Sequence, residues 1–353
     1  MRQRLANLTA TDIFLWIIRV VIIVVIVYGS YRTLASGKYS GENWADFIIF
    51  GLSQGGIYAL IALGYTLVYG ILLMINFAHG EVFMSGAFTA YHVAIAFGNA
   101  GVFDGSYWWL ALIVTALVAM GTSMGVAVLL ERVAYRPLRK APRLVPLITA
   151  IGASYFLQYT FRGFYGSGIS TYPKVPVLDM DVCISGFCVT RTQVVVIFTS
   201  IALMVAMWLF NQYTKMGKAM RAVSQDKEVA ALMGIDVDRV IVFTFALGGA
   251  LAGAAGVLYA LIFKQVNFFM GFFPGIKAFT AAVLGGIGNP VGAMIGGFFL
   301  GMFESVGPSL FLDGLGIVAP YQLKDVISFS MLVLVLIFAP AGILGEQLYV
   351  KKA

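Results

Sequence analysis

A short polar segment between two apolar runs carries the side chains best suited to handle a charged solute. Asn76, His79 and Glu81 lie within six residues of one another inside the segment 51–90. Lipid tolerates polar side chains and irregular backbone mainly where protein or a water-filled cavity shields them. These three residues are therefore candidates to line a substrate pathway. The structural alternative is that His79 and Glu81 pair with each other or cap a helix near the end of the preceding apolar run.

A second candidate pathway element lies where glycines interrupt the long apolar run 276–311. Gly285, Gly286 and Asn289 precede Pro290 in this interruption. Broken hydrophobic segments in the two halves of a transporter point to its binding site. The alternative is a plain helix break whose backbone groups are satisfied by neighbouring segments.

Other chemistry finds little support in the sequence. The segment 51–55 reads G-x-S-x-G, a pattern of hydrolase nucleophiles, but it lacks the required strand–turn–helix context. His79 and His92 are the only histidines, and they complete no catalytic triad. Cys183 and Cys188 have neither zinc nor haem spacing, and they either form a disulfide or remain free thiols. The sequence therefore predicts no enzyme, no metal site and no bound cofactor.

The elements that must position these residues are membrane helices. Hydrophobic residues make up 60% of the 353 residues and charged residues 11%, against about 45–50% and about 25% in soluble domains. The net charge of +7 comes from basic residues in short loops between apolar runs, which is not the basic face of a nucleic-acid-binding protein. The composition predicts an all-α, polytopic membrane protein.

Apolar runs define nine or ten membrane segments, because the run 276–311 is too long for one crossing and is counted as one or two segments. The runs are 13–31, 47–73, 82–98, 108–131, 144–162, 193–212, 240–263, 276–311 and 325–344. Placing both termini in the cytoplasm puts most of the 23 lysine and arginine residues on the cytoplasmic side, as the positive-inside rule requires. Cys183 and Cys188 then lie outside the cytoplasm, where a disulfide is stable.

Glycines four residues apart recur along several of these runs, including Gly121 with Gly125, Gly249 with Gly253, and Gly297 with Gly301. Small residues at this spacing let helix backbones approach closely in lipid. They predict tight packing within the subunit or, alternatively, contact with another subunit.

Three blocks together carry a family resemblance. They are 64–70 (GYTLVYG) followed by 75–81 (INFAHGE), 131–139 (ERVAYRPLR), and 277–288 (KAFTAAVLGGIG). They resemble the LivH-type permease subunit of branched-chain amino acid ABC importers, over residues 45–346. Residues 1–44 depart from the family pattern and are expected to form an N-terminal extension with one extra transmembrane helix. Residues 45–353 are expected to form the permease domain.

The resemblance implies a multi-pass protein of a prokaryotic cytoplasmic (inner) membrane that acts with partners. These are a second, LivM-like permease, two cytoplasmic ATPase subunits and an extracytoplasmic solute-binding protein. No G-x-x-x-x-G-K-[ST] phosphate loop occurs in the chain, so ATP would be used by the partner subunits. Two alternatives stay open: a permease of the same superfamily for urea or a short amide, and an ion-coupled secondary transporter. The second needs an intramembrane acid. The candidates are Glu81, Glu131 and Glu304, of which only Glu304 lies deep in an apolar run.

The loop 215–239 is predicted to couple the membrane helices to the ATPase. Its apolar residues are spaced as in short amphipathic helices ended by Gly234. It resembles the coupling helix of ABC importers, and the matching residues are Ala219, Glu228, Ala230, Ala231 and Gly234. The alternative is an ordinary loop lying on lipid headgroups.

Overall fold

The computed structural model describes residues 10–139, 141–142, 144–184, 187–339 and 341–345. Over these residues the protein is mostly helical, so the all-α fold is confirmed. The α-helices are α1 Ala10–Ser36, α2 Gly41–Leu72, α3 His79–Asn99, α4 Trp108–Leu130, α5 Leu144–Tyr165, α6 Arg191–Tyr213, α7 Lys215–Gln225, α8 Lys227–Leu232, α9 Val237–Phe263, α10 Phe272–Gly285, α11 Pro290–Gly307 and α12 Lys324–Phe338.

Shorter elements connect the helices. The 3₁₀ turns are Val102–Asp104, Arg136–Leu138 and Pro320–Leu323, and π-helical turns extend α4 over Glu131–Tyr135 and α11 over Pro308–Leu312. The strands are β1 Ser170–Thr171, β2 Asp181–Ile184, β3 Phe187–Thr190 and β4 Gln265–Val266. β1 pairs antiparallel with β4, and β2 with β3. A disulfide joins Cys183 to Cys188 across the β2–β3 hairpin.

Among the described residues, eight segments are long and apolar enough to cross a membrane, fewer than the nine or ten predicted. They are Ile13–Ser36, Gly41–Leu72, Trp108–Leu138, Leu144–Tyr165, Arg191–Tyr213, Val237–Phe263, Pro290–Leu312 and Pro320–Phe338. The difference lies in α3, which begins with polar residues, and in α10. The 14 residues of α10 reach about 21 Å at 1.5 Å each, less than the roughly 30 Å of a bilayer core.

The centre of the bundle is formed by α2, α9 and α11. α2 is buried on all sides from Gly55 to Val68, as expected of a helix that is apolar around its whole circumference. α2 and α11 pack through glycines, since a Cβ on Gly301 would overlap the backbone of Gly55. α9 packs on α4 in the same way through Gly249 and Gly253. These pairs therefore serve packing within the chain.

The two ends of the bundle differ. The β2–β3 hairpin lies beside the first turns of α2 and α6, and we call this the hairpin end. α6 leads away from the hairpin to α7 and α8, and we call that opposite end the loop end.

α1 lies at the periphery, with most of its described side chains exposed. It touches the π-helical turn Pro308–Leu312, and Arg19 lies over the Phe338 ring at 4.2 Å.

Candidate functional site

The polar segment around Asn76 reaches into the bundle. Leu73 ends α2 with a left-handed backbone (φ 55°), after which the chain turns back and α3 begins at His79. The His79 ring lies 4.9 Å from the Tyr65 ring, centroid to centroid. It fits between α2 and α9 because Gly64 and Gly248 carry no side chain there. Gly64 lies two turns before the end of α2. The His79 side chain is therefore deeper in the bundle than the end of α2, where the sequence placed the polar segment.

Glu81 is buried and hydrogen-bonded to α5. Its Oε1 accepts from Gln158 Nε2 at 2.7 Å and from Ser154 Oγ at 3.2 Å. Its Oε2 and His79 Nε2 have no hydrogen-bond partner among the described residues. His79 and Glu81 are not hydrogen-bonded to each other in the described part of the chain, and no side chain caps α3 there.

This arrangement has a clear chemical consequence. A carboxylate oxygen that is buried without a partner is costly unless it is protonated or meets a cation. Glu81 is therefore either protonated or able to pair with a cation such as an ammonium group. Asn76 holds the segment from the other side, because its Oδ1 accepts from the Tyr135 hydroxyl at 2.6 Å. Two of the three sequence blocks thus meet at this point.

The glycine-rich break holds α10 and α11 together. Gly286 and Gly288 have positive φ angles of 106° and 97°, which glycine adopts readily. Asn289 caps α11, its Oδ1 accepting from Val291 N at 3.0 Å and Gly292 N at 3.2 Å, and its Nδ2 donates to Leu344 O at 2.9 Å. Gly285 packs against Gly292 with no room for a Cβ. All three predicted residues of the break lie at the loop end, away from His79 and Glu81.

A charged cluster inside the bundle was missed by sequence reasoning. Lys277 of α10 bonds to Glu304 of α11 and, at 2.6 Å, to Asp325 of α12. The side chains of Lys277 and Glu304 are 6% and 1% exposed. Lys277 Nζ also lies 5.8 Å from the Tyr58 ring centre. The only signal in the sequence was a lysine and a glutamate within apolar runs, and nothing there showed that they meet.

Two short helices form the surface of the loop end. Thr214 caps α7 by accepting from Gly217 N at 3.0 Å, and Asp226 caps α8 by accepting from Glu228 N at 2.9 Å and Val229 N at 3.0 Å. α8 ends in a Schellman motif. In it, Gly234 N bonds to Ala231 O at 3.0 Å and Ile235 N to Ala230 O at 3.1 Å. Gly234 supplies the positive φ of 82°.

The five predicted coupling residues divide between two faces. Ala230 is buried and Ala219 half-buried, so both hold the short helices to the bundle. Glu228, Ala231 and Gly234 are exposed. Beside them, Leu232 and Met233 are 87% and 78% exposed. An apolar pair at the end of a rigidly capped helix is an available contact surface.

The block 131–139 braces this surface. Arg139 bonds to the buried Glu131 and to Asp238 at the start of α9. Arg136 bonds to Asp238 at 2.9 Å. Lys227 of α8 lies close by, and its pKa is lowered by burial and then by the charge of Arg139. The end of α4 and the start of α9 are thereby tied together next to α8.

Comparison with known proteins decides the family. Residues 47–336 match the family model described as the permease component of branched-chain amino acid transport systems. The chain belongs to this family.

Relatives match over nearly their whole length. The chain is 43% identical to the high-affinity branched-chain amino acid transport system permease protein LivH of Escherichia coli K12, over 84% of this chain and 94% of the relative. It is 40% identical to BraD of Pseudomonas aeruginosa, over 86% of this chain and 96% of the relative. A solved structure, PsaBC from Streptococcus pneumoniae in complex with Fab, matches at 14% identity with a TM-score of 0.42, over 86% of this chain and 94% of that chain.

The resemblance inferred from the three sequence blocks is therefore confirmed. As a member of the branched-chain amino acid permease family, the chain is a transport subunit and a multi-pass membrane protein. Members of this family are the permease components of larger transport systems.

Proposed function

We propose that this permease carries branched-chain amino acids through an inner membrane as part of an ATP-driven importer, with its loop end in the cytoplasm. The observation that carries the proposal is the exposed surface of α8, formed by Glu228, Ala231, Leu232 and Met233 beside Gly234. A short, rigidly capped helix with an unpartnered apolar tip fits a cleft in a soluble ATPase. Docking of α8 on one of the two ATPase subunits would transmit closure of the ATPase pair to α6 and α9.

The pathway passes Glu81 and His79 in this proposal. A neutral amino acid carries an ammonium group, and the free Glu81 Oε2 can pair with it in passing. Only one oxygen is available, because Oε1 is already held by Gln158 and Ser154. A single weak contact suits a solute that must leave again. Asn76, Gly285, Gly286 and Asn289 then act by shaping the backbone around the path.

The remaining partners follow from the family. We infer a second, LivM-like permease beside this one and an extracytoplasmic solute-binding protein at the hairpin end. A Cβ added to Gly121 or Gly125 of α4 would meet no heavy atom of another described element within 4 Å. A small-residue face of this kind allows another helix to approach closely. ATP is bound and hydrolysed by the partner ATPases, and this chain holds no cofactor.

Two other transport functions make different demands on the structure. An ion-coupled secondary transporter needs an intramembrane acid that is free to take up the ion. Glu131 and Glu304 are already paired with Arg139 and Lys277, so such a mechanism would have to use Glu81. A urea or amide permease moves a solute without an ammonium group, which leaves the free oxygen of Glu81 without a role. Competition of unlabelled leucine and urea against labelled leucine uptake separates the substrates. Accumulation driven by a proton or sodium gradient alone would contradict the ATP-driven mechanism.

The coupling surface is tested with Gly234→Pro in the assembled importer. Proline fixes φ near −65°, which is incompatible with 82°, and it removes the N–H that bonds to Ala231. ATP hydrolysis should continue while leucine uptake falls about tenfold or more, since about 1.4 kcal/mol of lost coupling is a factor of ten. Glu228→Ala should act in the same direction. Membrane insertion and the amount of assembled complex should not change.

Gly166→Pro is the matched control. Gly166 also follows a helix, has a positive φ of 86° and donates its N–H to Arg162 O at 2.9 Å. It lies at the hairpin end, so its replacement should disturb the backbone equally and leave uptake coupled to ATP hydrolysis. Normal uptake by Gly234→Pro would remove the docking role from α8.

A further inference from the structure

A cavity of about 420 Å³ opens at the hairpin end. Its wall combines Asp46, Phe47 and Phe50 of α2 with Cys188 and Thr190 of the hairpin, Gln193 of α6, Ser305 of α11 and Tyr321. The volume lies within the range of about 300–1,000 Å³ that small-molecule sites occupy. The elements around it come from distant parts of the chain, so the cavity depends on the complete fold.

The wall of this cavity is held in place by hydrogen bonds. Ser305 Oγ donates to Phe47 O at 2.6 Å, and the Tyr321 hydroxyl donates to Ser305 O at 3.2 Å. The rings of Phe47 and Tyr321 are 5.8 Å apart. The aromatic side of the cavity is therefore preorganised, and little ordering is needed when a ligand enters.

Two polar groups of the wall, the exposed Asp46 and the half-buried Gln193, have no partner among the described residues. Asp46 makes neither an ion pair nor a side-chain hydrogen bond among the described residues, in contrast to Asp313, which bonds to Lys38 at 2.7 Å. The Gln193 amide likewise has no hydrogen-bond partner within that part of the chain. A carboxylate attracts an ammonium group, and an amide N–H can donate to a carboxylate. Phe47 and Phe50 line the same cavity, and their rings can contact an apolar side chain.

We propose that this cavity is an outer binding site for a zwitterionic amino acid with an apolar side chain. Asp46 binds the ammonium group, Gln193 donates to the carboxylate, and Phe47 and Phe50 contact the side chain. An anion would be repelled by Asp46, and a purely apolar solute would gain nothing from either polar group. The inference rests on the proposed function for the identity of the solute. It adds a site at the entrance, separate from Glu81.

The test is equilibrium binding of radiolabelled leucine to the full chain in lipid nanodiscs, without the binding protein or ATPases. Saturable binding is expected. Asp46→Asn should weaken it by up to about fivefold, because an ion pair with an exposed carboxylate contributes about 0–1 kcal/mol. Glu42→Gln is the matched control, because it removes an exposed acid one turn earlier on α2 that does not line the cavity. Its affinity should equal that of the wild type.

Ligand analogues test the assignment of groups. 4-Methylpentanoate lacks the ammonium of leucine, and 3-methylbutylamine lacks the carboxylate. Both should compete weakly with leucine, and Gln193→Leu should reduce the disadvantage of the amine. Absence of saturable leucine binding by the wild type, or equal affinity of Asp46→Asn and Glu42→Gln, would overturn the inference.

Uptake by the assembled importer separates this result from the proposed function. If the assembled importer takes up leucine but the full chain alone shows no Asp46-dependent binding, the outer site is excluded and the proposed transport function stands. Uptake of urea in place of leucine removes the proposed substrate, and with it the solute named here.

Discussion

Two buried acids illustrate how this protein manages charge at single residues. One oxygen of each has no hydrogen-bond partner among the described residues. Glu304 is compensated by the cation of Lys277, whereas Glu81 is held only by neutral donors. Both lie in the apolar interior, where an uncompensated charge is costly. The first arrangement fits a structural role for the cluster that joins α10, α11 and α12. The second fits contact with a passing cation.

Lys277→Met should strongly destabilise the protein. It leaves Glu304 buried without its cation, which costs about 3–5 kcal/mol. The thermal midpoint of the detergent-solubilised protein should fall well below that of the wild type. Lys277→Met combined with Glu304→Leu should recover much of the loss, because both charges are gone.

Lys38→Met is the control for this prediction. Lys38 also pairs with an aspartate, Asp313, but its side chain is 55% exposed. Exposed pairs contribute about 0–1 kcal/mol, so the midpoint should hardly move. Equal destabilisation by the two lysine substitutions would contradict the assignment of Lys277 as a buried structural cation.

Glu81→Gln should lower leucine uptake about tenfold or more without loss of assembled protein. Glutamine has the same shape but cannot neutralise an ammonium, and about 1.5–3 kcal/mol is the usual worth of a hydrogen bond to a charged group. Uptake and complex yield are measured together in reconstituted vesicles. Ser154→Ala, which removes only the longer of two donors to Oε1, should have a much smaller effect. Unchanged uptake by Glu81→Gln would leave Glu81 with a structural role only.

Sequence reasoning identified Glu81 as chemically important but could not find its partners. Ser154 and Gln158 lie on α5, more than seventy residues away, and nothing in their neighbourhood marks them. The same applies to Lys277 and Asp325. Pairing across helices depends on which faces meet, and apolar runs without a polar face carry no such information.

At the scale of elements, glycine pairs set the distances between helices. Gly301 of α11 meets Gly55 of α2, and Gly253 of α9 meets Ala119 of α4, with no space for a side chain at either contact. Gly121 and Gly125 have the same spacing in the sequence, yet a Cβ added to either would meet no other described element within 4 Å. Spacing alone therefore predicts that a helix can pack closely, but not against what.

Gly301→Ala should reduce the yield of folded protein, because the added Cβ would overlap the Gly55 backbone. Overpacking typically costs about 1–3 kcal/mol. Gly125→Ala should be tolerated or slightly stabilising in the isolated chain, since alanine favours a helix over glycine by about 0.5–1 kcal/mol. Monodisperse yield on gel filtration and the thermal midpoint measure both. A stable Gly301→Ala variant would contradict the close contact of α2 and α11.

The element boundaries show what patterns can and cannot reveal. The break between α10 and α11 followed from Gly286, Gly288 and Pro290, because glycine and proline act locally. The depth at which α3 begins could not be predicted from the sequence. It depends on the space that Gly64 of α2 and Gly248 of α9 leave for the His79 side chain. Hydropathy therefore placed the polar segment at a helix end.

At the scale of the whole molecule, orientation is the property still to be measured. Basic residues at the loop end, among them Arg136, Arg139, Lys215 and Lys218, favour the cytoplasmic side. The hairpin with its disulfide then lies in an oxidising compartment.

Membrane-impermeant maleimide tests this orientation on intact and permeabilised cells. Both natural cysteines are paired, so an introduced cysteine is the only free thiol. Glu42→Cys, at the hairpin end, should react in intact cells. Glu228→Cys, on α8, should react only after permeabilisation. The reverse pattern would invert the molecule and exclude docking of a cytoplasmic ATPase on α8.

The end of the described chain has a practical consequence. Ile343 N and Leu344 N donate to the carbonyls of Leu284 and Gly285 at 2.8 and 3.0 Å, and Asn289 donates to Leu344 O. These last residues act as a clasp over the turn between two central helices. A chain that stops at Phe338, the last residue of α12, would lose 15 of the 353 residues and with them these hydrogen bonds to the turn. Affinity tags for purification should accordingly be joined beyond residue 345, with a flexible spacer.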